Sequence, residues 1–231
     1  MEKNVEQYHL FRDGRIKMPE HLAPRKEVRG RLFGNQLMES ITRSRIEPPI
    51  VMHLLISGAL FTYGIVSLGI VWWTAVIVAF AGYLFWSFAE YNVHRFLYHT
   101  ETNSRPLYKI QHKTNSKHHQ QTKDPRQLAM TPVTSLLNTD LFFLLFWLVS
   151  PTYVFVFFPG FMLGYLTYIT MHYAQHRYKT PRYGPWRKLW QHHFVHHYVD
   201  PYSCYGVSTR LWDHVFGTAA KAKAAPAAAG S

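Results

Sequence analysis

Fifteen histidines occur in 231 residues, and they are unevenly placed. Eleven fall in two windows, 94–119 and 172–197, that together cover 52 residues. Even scatter would put between three and four there, so the clustering points to a shared task. The spacings sharpen this reading. His94 and His99 form HxxxxH, His118 and His119 form a pair, His172 and His176 form HxxxH, and His193, His196 and His197 form HxxHH. On an α-helix, residues i, i+3 and i+4 share a face. HxxHH therefore aims three imidazoles one way, and HxxxH aims two. HxxxxH spans about 140° of α-helical rotation. That spacing predicts that His94 and His99 act from a helix end or face different metals.

Neutral imidazole is a common ligand for iron, zinc and copper. A single four-coordinate ion needs three or four ligands. Nine or ten converging histidines are too many for one ion and suit two. An isolated histidine is ordinarily a satisfied core or surface residue, but that reading does not account for four spaced groups. A histidine pH sensor would not demand these spacings. Three carboxylates stand where they could accept the free N–H of a ligand. Glu90 is one turn before His94, Asp124 follows the His118–His119 pair, and Asp213 follows Trp212. Each could equally be a solvated acid, and Glu90 is preferred because it closes an apolar stretch. The single cysteine, Cys204, allows no intrachain disulfide and reads as a packing residue rather than a nucleophile.

The charge pattern indicates what must position these groups. Lys and Arg outnumber Asp and Glu by 25 to 13, for a net charge of +12. Residues 50–91 and 131–172 contain no basic residue, and all 25 lie outside them. Each block is mostly apolar and about 42 residues long, enough for two membrane crossings and a turn. Spans are predicted near 51–68, 72–91, 132–149 and 153–171. The first hairpin turns at Ser67–Gly69, with Trp72 and Trp73 at the interface, and the second turns at Ser150–Thr152. A pair of buried soluble hairpins would not explain two such long blocks. The positive-inside rule places both termini and the middle loop in the cytosol. The expected fold is therefore all-α: an integral membrane protein with four transmembrane helices in two hairpins and a cytosolic histidine-rich helical cap.

The expected organisation is a basic cytosolic arm over 1–49, a membrane-embedded domain over 50–218 and an Ala-rich disordered tail over 219–231. The arm lacks an apolar run, so no signal peptide is expected. A short surface helix is expected around Phe33 to Ile41, broken by Pro48 and Pro49. Asp140 falls inside the third span, where an interhelical hydrogen bond near Asn138 and Thr139 is the favoured role. Pro159 and Gly160 are expected to kink the fourth span.

Glu90-Tyr91 through His94-Arg95-Phe96-Leu97-Tyr98-His99 resembles the EYxxHRFLxH signature of the fatty acid hydroxylase and sterol desaturase superfamily. His118-His119, Asp124-Pro125 and Met130-Thr131-Pro132 resemble its second cluster. Tyr168, His172-Tyr173, His176, Lys188, His193, His196-His197, Gly206-Val207-Ser208, Trp212-Asp213 and Phe216-Gly217-Thr218 resemble its C-terminal half, most closely in fatty acid 2-hydroxylases. The likeness covers roughly residues 50–218. Two positions depart from it. The second cluster ordinarily reads HxxHH, but Asn115 stands at its first position and His112 lies three residues earlier. Asp often follows the tyrosine matching Tyr168, and here Ile169 does.

The resemblance implies an O2-dependent di-iron oxidoreductase, with zinc able to replace iron in purified samples. The implied ligands are His94, His99, His112, His118, His119, His172, His176, His193, His196 and His197. Glu90, Asp124, Tyr168 and Asp213 would support them. A lipid or fatty acyl substrate would be hydroxylated at carbon 2, with Trp186, Trp190 and Phe194 near the entrance. Many relatives carry a fused b-type cytochrome. No room for one is expected here, so a separate b-type cytochrome, or a ferredoxin with its reductase, would deliver electrons. The membrane would be the endoplasmic reticulum in a eukaryote or the cytoplasmic membrane in a bacterium. Sterol, sphingoid or carotenoid desaturation or hydroxylation at the same site is one alternative, and a non-catalytic membrane metal-binding protein is another. No nucleic acid partner is expected, since the basic residues follow membrane topology.

Overall fold

The computed structural model describes residues 2–25, 35–37, 45–102, 104–122, 128 and 131–220. Most of the surface helix expected at Phe33 to Ile41, the tail from residue 221 and Asp124 lie outside the described residues. The described chain is helices and connecting turns, with no strand among the described residues. In order, the elements are α1 (Glu2–Arg12), α2 (Glu47–Val66), α3 (Trp72–Asn92), π1 (Val93–Tyr98), α4 (Arg105–Gln111) and π2 (His112–Ser116), followed by α5 (Lys117–Gln120), α6 (Pro132–Val149), α7 (Val154–Arg177), α8 (Gly184–Tyr198) and α9 (Leu211–Val215).

Two compact units share these elements. Phe33–Ala89 and Pro125–Tyr173 form one. Met1–Leu32, Glu90–Asp124 and Ala174–Ser231 form the other. The first contains most of each of the four helices that are long and apolar enough to cross a membrane: Glu47–Val66, Trp72–Tyr98, Pro132–Val149 and Val154–Arg177. The chain is an integral membrane protein. Residues 2–25 group with the histidines, so the contacts do not divide the chain at residue 49.

Local sequence sets the helix ends. Pro48 and Pro49 stand in the first turn of α2, which needs no N–H donor from them; the preceding segment they were expected to break lies mostly outside the described residues. Thr131 caps α6 by accepting from the Thr134 N–H at 3.3 Å. Gly69, at φ +67°, supplies the left-handed residue of the first hairpin turn.

Within the membrane-spanning unit, α7 is the interior helix. Its most apolar window is 61% buried, against 11–22% for the other three. Val154, Phe158, Phe161, Met162, Tyr165, Leu166 and Ile169 form its packed face. Most exposed apolar side chains of this unit lie on the other helices, including Trp72, Trp73, Leu137 and Leu148, as lipid contact requires. α3 and α7 touch backbone to backbone. A Cβ on Gly160 would collide with the Ala79 carbonyl, and one on Gly82 would collide with that of Phe157. Small residues permit this approach, and dispersion rewards it where lipid supplies no hydrophobic drive. α7 runs through Pro159 as one continuous helix.

Two sequence expectations need revision here. Asp140 is exposed and makes no hydrogen bond among the described residues. Asn138 and Thr139 instead donate back to the carbonyls of Thr134 and Leu136 in their own helix. A buried polar cluster also exists that the sequence reading passed over. His53 Nε2 lies 2.6 Å from the Ser135 hydroxyl, which lies 3.1 Å from the Tyr165 hydroxyl.

Candidate metal centre

The histidine-rich unit gathers imidazoles from four helices and the turn after one of them. His118 of α5, His176 at the end of α7, and His193 and His197 of α8 form one group. His94 of π1, His99 just after it, His119 of α5 and His196 of α8 form a second. Within each group the ligand nitrogens lie within 4.8 Å of one another. In the first, Nε2 of His118 is 3.2 Å from that of His197, and Nε2 of His193 is 2.9 Å from that of His176. In the second, the His196 ring lies 4.5 Å from His94, 4.7 Å from His99 and 4.9 Å from His119, centroid to centroid. The groups adjoin where His119 stacks on His197 at 4.2 Å.

Helix type explains how HxxxxH contributes to one group. An α-helix would splay His94 and His99, but residues 93–98 form a π-helix. Its i→i+5 hydrogen bonds place residue i over residue i+5. The two rings consequently lie 5.1 Å apart and both enter the second group, which meets the helix-end alternative rather than the one in which they face different metals.

Outer contacts aim the rings. His94 Nδ1 is 2.6 Å from the Tyr205 carbonyl, and His196 Nδ1 is 2.8 Å from that of Ser203. A carbonyl only accepts, so both Nδ1 atoms carry the proton and both Nε2 lone pairs remain available. Cys204, between those carbonyls, has φ +59°. This left-handed residue turns the chain so that both neighbours serve the site.

A metal ion fits the donor set. Both nitrogens of His119, Nε2 of His196 and Nδ1 of His99 are buried without a hydrogen-bond partner among the described residues. Leaving a buried polar atom unsatisfied costs about 1–3 kcal/mol, so several such nitrogens together call for a cation. Burial holds His99, His118, His119, His196 and His197 well below the ordinary imidazole pKa, and neighbouring histidines push the same way. They are neutral at pH 7, the form that ligates metal.

Residues 79–218, more than half of the chain, match the family described as fatty acid hydroxylase. The chain belongs to the fatty acid hydroxylase family. Ceramide very long chain fatty acid hydroxylase scs7 of Schizosaccharomyces pombe is 34% identical over 194 residues, covering 81% of this chain and 54% of its own length. Fatty acid 2-hydroxylase of Mus musculus is 35% identical over 149 residues, covering 63% and 40%. Dihydroceramide fatty acyl 2-hydroxylase FAH2 of Arabidopsis thaliana is 31% identical over 202 residues, covering 84% and 82%. A solved structure of full-length scs7p, with only its hydroxylase domain visible, aligns at a TM-score of 0.80 and 27% identity over 90% of this chain and 80% of that one. The chain spans about half the length of the first two relatives.

In this member of the family, His172 is also among the candidate ligand residues, whereas the other expected site residues take different places. His172 is buried one turn before His176 on α7, among the residues of the membrane-spanning unit, and stacks on Tyr168 at 5.6 Å. His112 enters neither group; its ring stacks on Tyr108 at 5.8 Å. Asn115 instead shares the face of His118 and His119, and its Nδ2 lies 2.8 Å from His99 Nε2. Asn115 is where i, i+3, i+4 counting with His118 and His119 places it, and His112 lies in the π-helix over 112–116 that precedes them.

Glu90 accepts no ligand N–H. Its buried carboxylate accepts the backbone N–H groups of Val207 at 2.7 Å and Ser208 at 3.0 Å, together with the Ser208 hydroxyl. It thereby fixes the segment whose Tyr205 carbonyl orients His94. Asp213 accepts from the N–H groups of Tyr205 at 2.9 Å and Gly206 at 2.7 Å, and pairs with His192 Nε2 at 2.9 Å. Burial alone would raise the Asp213 pKa, but the His192 contact and the other donors hold it below the usual value. Gly206 is required at this point, because a Cβ would strike the Thr209 carbonyl. Trp186 and Phe194 lie exposed on α8, and neither lines the cavity beside His99. Burial pushes the Cys204 thiol up to about 11, as suits a packing residue.

Proposed function

We propose that the chain hydroxylates carbon 2 of a lipid acyl chain, using O2 and two iron ions held by its histidines. The convergence of buried, neutral imidazoles into two adjoining groups carries this reading. The names of the relatives supply the substrate class and the position. His94, His99, His119 and His196 would hold one ion. His118, His176, His193 and His197 would hold the other, with His172 joining through its HxxxH spacing to His176. His112 is left out of the set because its ring is directed onto Tyr108.

Bound metal would supply the O2 activation that protein side chains cannot. The balance is one C–H bond, O2, two electrons and two protons giving one C–OH bond and water. The two electrons would come from a b-type cytochrome, or from a ferredoxin with its reductase. The chain's own residues prepare the site. The carbonyls of Tyr205 and Ser203 hold His94 and His196 in one tautomer, Glu90 and Asp213 hold those carbonyls in place, and burial keeps the imidazoles unprotonated. The basic residues flanking the apolar blocks favour a cytosolic position for both termini.

Mass spectrometry of hydrolysed lipids from cells expressing the chain, beside a His193→Ala control at equal abundance, tests this reading. Fatty acids with one added oxygen at carbon 2, absent from the control, are expected. Loss of two hydrogens, or oxygen on a sterol, sphingoid base or carotenoid, would retain the site and change the substrate. No difference, with reductase and a broad lipid pool present, would leave a non-catalytic metal-binding protein.

A further inference from the structure

Asn115 lies one helical turn before His118 and His119, and it is as deeply buried as His99. The end of its carboxamide stands 2.8 Å from His99 Nε2. Contacts of similar length occur in the first imidazole group. His193 meets His176 at 2.9 Å and His118 meets His197 at 3.2 Å, Nε2 to Nε2 in each case. Those pairs are ligand atoms converging on one point. Two ligands at right angles, each about 2.0–2.1 Å from an ion, stand about 3.0 Å apart. The contact between Asn115 and His99 has that spacing.

A plain hydrogen bond has this length too, but it serves the site poorly. Neutral imidazole has one N–H and one lone pair. An Asn115 N–H donated to Nε2 would take that lone pair and leave His99 none for a metal. His197 shows which nitrogen converges: its Nε2 faces His118, while its Nδ1 is buried without a hydrogen-bond partner among the described residues. His99 repeats that division, with Nε2 facing Asn115. The Tyr98 carbonyl, 3.5 Å from Asn115 Nδ2, is too distant to fix which end of the amide faces His99. A half-turn of the carboxamide puts oxygen where nitrogen stood, with little change of shape. Oxygen at that point has a lone pair to offer a cation. The ligand tally leaves room for it. With His172, the reading above gives one ion five histidines and the other four.

We propose that Asn115 ligates the ion of the second group through its carboxamide oxygen, giving that ion four imidazoles and one neutral oxygen. The inference rests on the two-ion hydroxylase reading above. It makes the two ions unlike. An amide oxygen is a harder and weaker donor than imidazole toward iron, zinc or cobalt. The second ion is therefore held less tightly than the first, and its oxygen ligand is the one most readily given up. A histidine at position 115 would make the two ions alike.

Cobalt titration of the full chain, purified in detergent and stripped with a chelator, tests the proposal. Visible absorption per cobalt ion rises as its ligands become fewer. The wild-type chain should bind two ions, one more weakly than the other. Leucine has the branching of asparagine without a donor atom, and it fills the space that a water would otherwise enter. Asn115→Leu should weaken the second step at least about tenfold and intensify the cobalt bands. Asn115→His should tighten that step toward the first and leave band intensity at the wild-type level. Affinities and bands that Asn115→Leu leaves unchanged would overturn the proposal. Weaker binding with unchanged band intensity would overturn it too, since Asn115 would then act only by holding His99 from outside. Should Asn115→Leu fail to fold, Asn115→His decides alone, and a second step no tighter than in wild type overturns the assignment. A wild-type chain that binds no cobalt would sink the two-ion reading and the hydroxylation with it. Two bound ions indifferent to residue 115 would sink only the ligand assignment.

Discussion

His53 and His119 are both almost wholly buried, yet their surroundings could hardly differ more. In the membrane-spanning unit, His53 faces the Ser135 hydroxyl, and the Tyr165 hydroxyl extends the chain of hydrogen bonds. In the histidine-rich unit, His119 has neither ring nitrogen bonded among the described residues, and its neighbours are other imidazoles. A buried polar group met by donors and acceptors is self-sufficient. One met only by other lone pairs is waiting for a cation. Residue type is the same in both regions, and the partners decide between structure and chemistry.

The largest expected effect tests that contrast directly. His119→Ala should remove most bound metal and lower hydroxylation at least about 100-fold. Elemental analysis of the purified protein beside product yield checks both, and full metal content in the variant would break the comparison. Next comes Glu90→Ala, which frees the Val207–Ser208 segment and so loosens the Tyr205 carbonyl behind His94. Metal affinity should drop about 10- to 100-fold, as is usual when an outer partner of a ligand is lost. Competition with a chelator measures it, and an unchanged affinity would show that Glu90 only stabilises the fold.

Acid should also act on the histidine-rich unit. His99, His118, His119, His196 and His197 have pKa values in the folded chain below those in the unfolded chain. The unfolded state then binds more protons once the pH falls below about 6.5. Stability from these groups is present above that pH and is lost as the pH falls toward the folded values, by up to about 1.4 kcal/mol per pH unit for each. Melting temperature of the metal-free protein against pH should decline from that point, and a flat curve down to pH 5 would contradict the burial. The smallest effect should come from His53→Ala. Ser135 and Tyr165 still bond each other, so a stability loss of about 1–3 kcal/mol is expected with metal content unchanged. Loss of metal in this variant would erase the distinction between the two histidine environments.

The apolar blocks and the four histidine spacings were legible before any fold was known. A run without Lys or Arg needs only length to become a membrane helix, and i, i+3, i+4 spacing needs only an α-helix to align HxxHH. The four spans and the convergence of nine histidines follow from patterns that local periodicity carries. Other features depended on irregular backbone. The π-helix at 93–98 brought His94 and His99 together, and the one at 112–116 holds His112, whose ring lies on Tyr108. No α-helical count contains that change of phase.

Partner assignment was likewise a tertiary matter. Glu90 and Asp213 were expected to accept from ligand imidazoles, but their carboxylates accept from backbone N–H groups of the 205–208 segment instead. The carbonyls that orient His94 and His196 belong to Tyr205 and Ser203, and every residue has a carbonyl, so no residue type announces them. Arg12 is 83 residues from Arg95 in sequence and reads as one more charge in a basic arm; only the packing of α1 brings it to the same cavity. The sequence by itself determined which groups could ligate metal and which stretches could enter lipid, because composition and local period are properties of the chain alone. The tertiary structure decided which atoms meet, because that depends on contacts between residues far apart in the chain, where local pattern carries no information.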